Sequence, residues 1–376
     1  MNSKLDWVRN YKGHDSTAQN SIWHCLMMLS DFEAVKIDVD GFDEKSVING
    51  EKDFHVFMKT LYQNMYANPD KYAIPTTEYD DYIKTINIEE YYAAEHKKSD
   101  AKEGRLRQAF QQAIQFYPDY FYQLGLAADE ICNRNYLLAI TKSKYDDVLK
   151  TLDQPKNGQR INALLDMGIM INETGETYYI SCKQAPKMFL GLRVLCASPE
   201  SKYKYMNYLR LDYKGYYRTM PDIDDVKTTM EKEHAGILSL VGSLLDNPKM
   251  KIKLHPLGSI TSNHKWKVEY VLNGKRFFEF YAGPAYLVIH IFFRDTEHLT
   301  NAIKLLMKND SALFEWLNGK FKERKGCAAR CPRNKTVMFG NEEKRICGST
   351  NQVELFLPDE DDIEKSIALI KILSVL

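Results

Sequence analysis

WKVEYVLNGKRFFEFYAGPAYLVIHIFFR, residues 266–294, is the stretch whose reading decides the fold. Asn273-Gly274 stands between two runs of aromatic and β-branched residues. Asn and Gly tolerate the positive φ of a type I′ turn, so the spacing predicts a β-hairpin with a two-residue turn. That turn sets a register with Leu272 opposite Lys275, Tyr270 opposite Phe277, Val268 opposite Glu279 and Trp266 opposite Tyr281. Cross-strand partners share a face because side chains alternate along a strand. One face is therefore expected to carry Trp266, Val268, Tyr270, Phe277 and Tyr281, with Glu279 among them. After Ala282-Gly283-Pro284, residues Tyr286 to Phe293 are apolar on both faces except at His290, which suits an inner strand.

Two readings of this face stay open. A carboxylate among aromatic rings attracts an organic cation through both charge and ring faces. The alternative is a half-exposed Glu on the solvent side of a sheet, where charged cross-strand neighbours are common. His290 is either a hydrogen-bonded core histidine or a working group, since imidazole titrates near neutrality. The candidate ligand-binding set is Trp266, Tyr270, Phe277, Glu279, Tyr281 and His290, with a small aromatic or cationic molecule as the expected partner. No residue is assigned a catalytic role.

The hairpin sits within a longer order. A strand is expected at Lys249 to Leu254. Helices are expected at Glu297 to Met307, Ser311 to Lys322 and Asp361 to Leu373, and a strand at Val353 to Leu357. Asp359 to Asp362 put negative charge at the start of the last helix, where the helix dipole favours it. Residues 246–376 thus read as an α+β domain, an antiparallel-sheet α/β sandwich with helices over one sheet face and a late cysteine loop.

Upstream, residues 141–245 have a different rhythm. Tyr145 to Leu152 reads as a helix, and Gln159 to Met167 as a second one closed by Gly168. Two short strands follow, Ile169 to Ile171 and Thr177 to Cys182. This winged-helix-like segment resembles a winged helix-turn-helix, in which the second helix enters the DNA major groove. Its chemistry for that role is thin: Gln159, Arg160 and Asn162 on the helix, Glu173 and Glu176 on the wing. Residues 183–218 hold eight Lys or Arg, interleaved with Tyr203, Tyr205, Tyr208, Tyr213, Tyr216 and Tyr217. Cations with ring platforms suit single-stranded nucleic acid or an anionic aromatic ligand. The alternative is a solvated tyrosine-rich helix balanced by Asp222, Asp224 and Asp225. Residues 1–140 read as a helical region. Its helices are expected at Ser21 to Phe32, at Phe54 to Tyr66, at Glu103 to Phe116 ending before Pro118, and at Phe121 to Ile140. The acidic run from Asp38 to Glu44 has the wrong spacing for a calcium loop and reads as a surface turn.

Composition bounds the partners. Of 376 residues, 51 are basic and 51 acidic, so global charge does not select for nucleic acid. No apolar run approaches the ~20 residues needed to span a bilayer, and the first residues lack a secretory core, so no membrane partner and a cytoplasmic location are expected. Seven scattered cysteines argue for thiols rather than a disulfide framework. Three residues separate Cys327 from Cys331, and fifteen more separate Cys331 from Cys347. Three thiolates begin a zinc site but leave it one ligand short. Lysines and arginines around the pair would also lower a thiol pKa, which opens a redox reading. Ordinary loop cysteines are the third alternative. No firm cofactor follows, and zinc is the candidate metal.

Two resemblances complete the reading. The hairpin WKVEYVLNGKRFFEFY, the Gly283-Pro284 turn, the apolar strand after it and the closing DEDDIEKSIALIKIL resemble GyrI-like effector-binding α/β domains. The resemblance implies that Glu279, amid aromatic rings, receives a cationic amphipathic ligand. More broadly, KMFLGL at 187–192, YLRLDY at 208–213 and the stretch Cys327 to Cys347 resemble uncharacterised hypothetical proteins of clostridial-type bacteria. There is no P-loop, GxGxxG, HExxH or GxSxG signature, which tilts the reading away from an enzyme. The expected function is a small-molecule-binding regulatory module using the aromatic sheet face. The alternatives are a nucleic-acid-binding protein and a zinc or thiol protein.

Overall fold

The Asn273-Gly274 turn closes as its residues require, with φ of 51° and 80°. The strands it joins are β6 (Trp266–Leu272) and β7 (Lys275–Gly283), and Leu272 pairs with Lys275 as expected. Beyond the turn the register slips. A bulge between Tyr270 and Val271 leaves Phe277 as the extra residue, so Tyr270 faces Phe278, Val268 faces Phe280 and Trp266 faces Ala282. The expected pairs Tyr270–Phe277, Val268–Glu279 and Trp266–Tyr281 do not form. The cause is a conflict of faces. An unbulged ladder would place Glu279 in line with Trp266, Val268 and Tyr270, burying a charge among apolar groups, which is costly. One extra residue moves Phe278, Phe280 and Ala282 onto the apolar face and Glu279 off it.

The computed structural model describes residues 14–85, 101–153, 155–217, 220–227, 230, 237, 248–256, 266–283, 286–321, 334–347 and 352–376. The chain is of the α+β class. A five-stranded antiparallel sheet contains β5 (Met250–Pro256), β6, β7, β8 (Tyr286–Phe292) and β11 (Gln352–Phe356) in the order β11-β8-β7-β6-β5. Helices α10 (Thr296–Asn309), α11 (Ser311–Lys320) and α12 (Glu360–Val375) bury Leu299, Ile303, Leu306, Leu317, Leu369 and Ile370 in one core with Trp266, Tyr270, Phe278, Phe280 and Ile289. Asp295, Asp310 and Asp359 cap these helices, each accepting a backbone N–H three residues on at 2.8–2.9 Å. The late cysteine stretch ends in a hairpin that the sequence did not suggest. Strand β9 (Asn334–Phe339) pairs with β10 (Glu342–Cys347) around Gly340 at φ 63°.

Residues 18–213 build a separate core that crosses position 140, so helices on either side of that expected boundary share one interior. Its frame is α1 (Thr17–Met28), α2 (Glu44–Ala67), α3 (Thr77–Lys84) and α4 (Ala101–Ala127). Helix α2 starts ten residues before its first expected residue because Asp43 caps it, accepting the Ser46 N–H at 2.8 Å. Helix α4 runs through Pro118 instead of stopping before it. Phe110, Ile114, Tyr117, Phe121 and Leu124 form one buried stripe across the proline, and that burial outweighs one missing backbone donor. The chain then makes strands β1 (Glu130–Ile131) and β2 (Leu138–Thr141), where a continuing helix was expected.

Helices α5 (Lys142–Thr151) and α6 (Asn157–Asp166) precede β3 (Ile169–Thr174) and β4 (Thr177–Cys182), in a sheet ordered β1-β2-β4-β3. Helix α7 (Met188–Cys196), which the short helices α8 (Lys204–Leu209) and α9 (Ile223–Lys227) follow, lies in backbone contact with α2: a Cβ on Gly191 would meet the Gly50 carbonyl oxygen at 2.1 Å. Only glycine permits that approach.

Candidate functional site

The six residues expected to form one ligand face divide between two. Trp266, Tyr270 and Phe277 are at most 2% exposed and belong to the apolar core. Glu279, Tyr281 and His290 belong to the polar group on the opposite face of the sheet, where Glu279 pairs with Glu269 and His290, and His290 with Glu354. Glu279 is itself 2% exposed, but its charge is answered. Its Oε1 accepts from His290 Nδ1 at 2.8 Å, and its Oε2 meets Lys267 Nζ and Arg276 NH1, each at 3.3 Å. The Tyr281 hydroxyl donates to Oε1 at 3.5 Å. Burial alone would raise this carboxyl's pKa. The His290 hydrogen bond and the Lys267 ammonium outweigh burial and hold it down at about 2. A carboxylate with three nitrogen partners has little attraction left for an incoming cation. The rings that were to line the hollow face the other way.

The nucleic-acid candidates also separate. Arg160 is 5% exposed, with its guanidinium 5.4 Å from the centre of the Phe116 ring, so it serves the interior rather than a groove. Gln159 donates to the Asp70 carbonyl at 3.1 Å, and Asp166 pairs with Lys71 at 3.0 Å. Both contacts run from α6 to the short 3-10 turn Pro69–Tyr72. On the wing, Glu173 pairs with Lys142. In the tyrosine-rich segment, Tyr203, Tyr208 and Tyr213 are buried, and Tyr205 donates to Asp119. Their rings pack the core and are not platforms for bases. Tyr217 alone among the described tyrosines of that segment is largely exposed.

Of the proposed metal ligands, Cys347 ends β10 opposite Asn334, and Cys327 and Cys331 lie outside the described residues. Among the described residues, one acidic trio, Asp359, Asp361 and Asp362, comes close enough to share an ion. Its members are otherwise engaged: Asp359 caps α12, Asp361 pairs with Lys365, and Asp362 accepts from Trp316 Nε1 at 2.8 Å and pairs with Lys320.

A different site emerges where the loop before α2 meets the β1–β2 hairpin. A cavity of about 590 Å³ opens there, lined by Phe42, Cys132, Leu137, Tyr179, Leu190 and Arg193, among others. Asp40, Glu130 and Arg134 stand exposed at its edge, and Arg193 is half-buried. No ion pair joins any of these four charges to another described residue. The Arg193 guanidinium donates one bond, from NH1 to the Gly125 carbonyl at 2.9 Å. Cys132 is half-buried, and burial with the nearby Glu130 carboxylate raises its thiol pKa, so the thiol is protonated and weakly nucleophilic at neutrality.

The hairpin loop beside this cavity is tied down. Tyr136 has φ 58°, a left-handed conformation uncommon for a bulky residue. Its hydroxyl lies 3.0 Å from Ser46 Oγ, Lys187 Nζ donates to the same Oγ at 3.0 Å, and Ser46 Oγ donates to Asp43 Oδ2 at 2.8 Å. Lys187 Nζ also sits 4.4 Å from the centre of the Tyr136 ring. The Ser46 hydrogen bond and the Lys187 contacts lower the phenol's pKa. Ser46 resembles a nucleophile in its company, but its one proton goes to a carboxylate and both lone pairs receive donors. The cluster is a clasp between the hairpin loop, the start of α2 and the start of α7. Sequence reasoning passed over it because residues 46, 136 and 187 are linked only by the tertiary fold.

Comparison of the chain with protein-family models, with curated proteins and with solved structures returned no match. The functional reading therefore rests on this geometry.

Proposed function

We propose that the protein binds a small molecule, as the sequence suggested, but in the cavity between residues 39–42 and the β1–β2 hairpin rather than on the five-stranded sheet. The observation that carries this is the cavity itself: about 590 Å³, within the range of small-molecule pockets, an open cleft whose lining mixes apolar side chains with charged and amide groups. The clasp at Tyr136 supports it, because a site built on loops needs those loops fixed before the ligand arrives. The reading assigns no catalytic step, since no nucleophile–base pair stands open to the cavity among the described residues. Retention of compounds from a metabolite mixture, measured by mass spectrometry after rapid filtration, tests it. Val39→Trp, which puts an indole into the cavity, is expected to abolish retention of at least one compound. Identical retention profiles for the two proteins would sink the reading.

A second reading, nucleic-acid binding through α5 and α6, is favoured by one observation. Helices α5 and α6 are followed by the β3–β4 hairpin, the helix–helix–wing order on which the winged-helix resemblance rests. The internal engagement of Arg160, Gln159 and Asp166 weighs against it. Retardation of duplex DNA at low salt that weakens steeply with added salt would support it.

A further inference from the structure

The lining of the cavity narrows the chemistry of what it can hold. Four charged groups line it, two of each sign. Three of them, Asp40, Glu130 and Arg134, are exposed. Arg193 differs. It is half-buried, it stands beside Leu190 and Leu137, and it has no carboxylate partner among the described residues. Its single described hydrogen bond, to the Gly125 carbonyl, uses one of five N–H donors and fixes one end of the guanidinium. A half-buried guanidinium with one donor anchored and no carboxylate partner among the described residues suits a planar anion that accepts two bonds at once. The walls around it are apolar and aromatic: Phe42, Ile131, Leu137 and Leu190.

We infer that the ligand is a small organic monocarboxylate with an apolar or aromatic body, its carboxylate on Arg193 and its body against Phe42, Leu137 and Leu190. An organic cation fits less well because the acids at the edge are exposed, so pairing with them gains little. This inference rests on the cavity being a ligand site, and the experiment below separates failure of the one from failure of the other.

Cys132 supplies the reporter. Among Cys25, Cys132, Cys182 and Cys196 it is the one that is not buried, and it lines the cavity. The full-length protein is alkylated with iodoacetamide at mildly alkaline pH, and modification at Cys132 is followed by peptide mass spectrometry. Benzoate, phenylacetate and 3-phenylpropionate are compared with their primary amides and with benzylamine and phenethylamine. At least one carboxylate is expected to slow Cys132 alkylation in a saturable way, its amide to need at least about tenfold more for the same protection, and the amines to give none. Arg193→Gln, which keeps a donor for Gly125, is expected to erase the difference between acid and amide. If amides or amines protect as well as acids, the carboxylate assignment is overturned and the cavity reading stands. If no compound of any class protects Cys132, both are overturned. The acid–amide comparison is made on the unaltered protein, so the outcome does not depend on whether the Arg193 variant folds.

Discussion

The Tyr136 hydroxyl reaches Ser46 Oγ at 3.0 Å across ninety residues of chain, and that one contact fastens the β1–β2 hairpin to the first turn of α2. Lys187 enters from α7's N-terminal side and donates to the same oxygen. The contact explains how a bulky residue is held at φ 58°: the unfavourable backbone state is offset by a hydrogen bond and a cation over its ring.

Tyr136→Phe removes the hydroxyl and keeps the ring. It is expected to cost about 1 kcal/mol of stability, the usual net worth of one such bond. Lys187→Met removes a hydrogen bond and a ring contact together and is expected to cost somewhat more. Hydrogen exchange at the backbone amides of residues 132–137 checks the mechanism. Both variants are expected to speed exchange there while leaving α4 unchanged. Unaltered exchange in the loop would mean that the clasp does not hold it.

Glu279 predicts an acid limb of the stability curve. Its folded pKa of about 2 lies below the ordinary 4.5. A carboxyl depressed on folding contributes stability that is fully present above its unfolded pKa and is lost as pH falls toward the folded one. The loss attributable to Glu279 is therefore expected between about pH 4.5 and pH 2. Glu279→Gln is expected to cost on the order of 3 kcal/mol at neutral pH, because Lys267, Arg276 and His290 lose their shared anion. That difference between variant and parent should shrink across the same acid window in urea titrations. A constant difference from pH 7 to pH 2.5 would show that the carboxylate is not held in its charged form.

Glu51 carries the opposite sign. It is fully buried on α2, with Oε2 accepting the Val35 N–H at 3.0 Å and Oε1 without a partner among the described residues. Burial raises its pKa to about 7, against the Val35 hydrogen bond, which lowers it. An acid whose folded pKa lies above its unfolded value binds more protons when folded, so stability falls as pH rises from about 4.5 to about 7. Glu51→Gln, which can still accept from Val35, is expected to be neutral near pH 4.5 and stabilising by a few kcal/mol at pH 8. Denaturant midpoints at the two pH values decide it, and equal midpoints for parent and variant at pH 8 would refute the assignment.

What could be read from the chain alone was local. Asn273-Gly274 announced its own turn, and the acidic run from Asp359 announced a helix start, because in both cases a few adjacent residues settle the backbone. The slip at Phe277 was not legible. It is settled by which of two ladders puts Glu279 on the apolar face, and that depends on helices that follow much later in the chain. Pro118 misled for a related reason: a local breaker was overruled by a buried stripe on both sides of it. The cavity and its clasp draw on residues 39–46, 130–137, 179 and 187–193, and no spacing rule joins those segments.

The slip at Phe277 makes a prediction of its own. The sequence there is Arg276-Phe277-Phe278-Glu279, so deleting either phenylalanine leaves the same chain. In the shortened hairpin Leu272 still meets Lys275, Val271 still meets Arg276, and the remaining phenylalanine takes the place opposite Tyr270. Glu279 stays opposite Glu269 and within reach of His290 without any bulge. The deletion is therefore expected to fold, losing about 3–5 kcal/mol for one buried ring and keeping the acid limb described for Glu279. Deleting Lys267 is a control of equal length. It would shift the outer part of β6 by one residue and turn Trp266 away from the core, so it should fail to fold or lose the acid limb. Should the phenylalanine deletion unfold while the lysine deletion is tolerated, register in this sheet is not set by the burial of Glu279's neighbours.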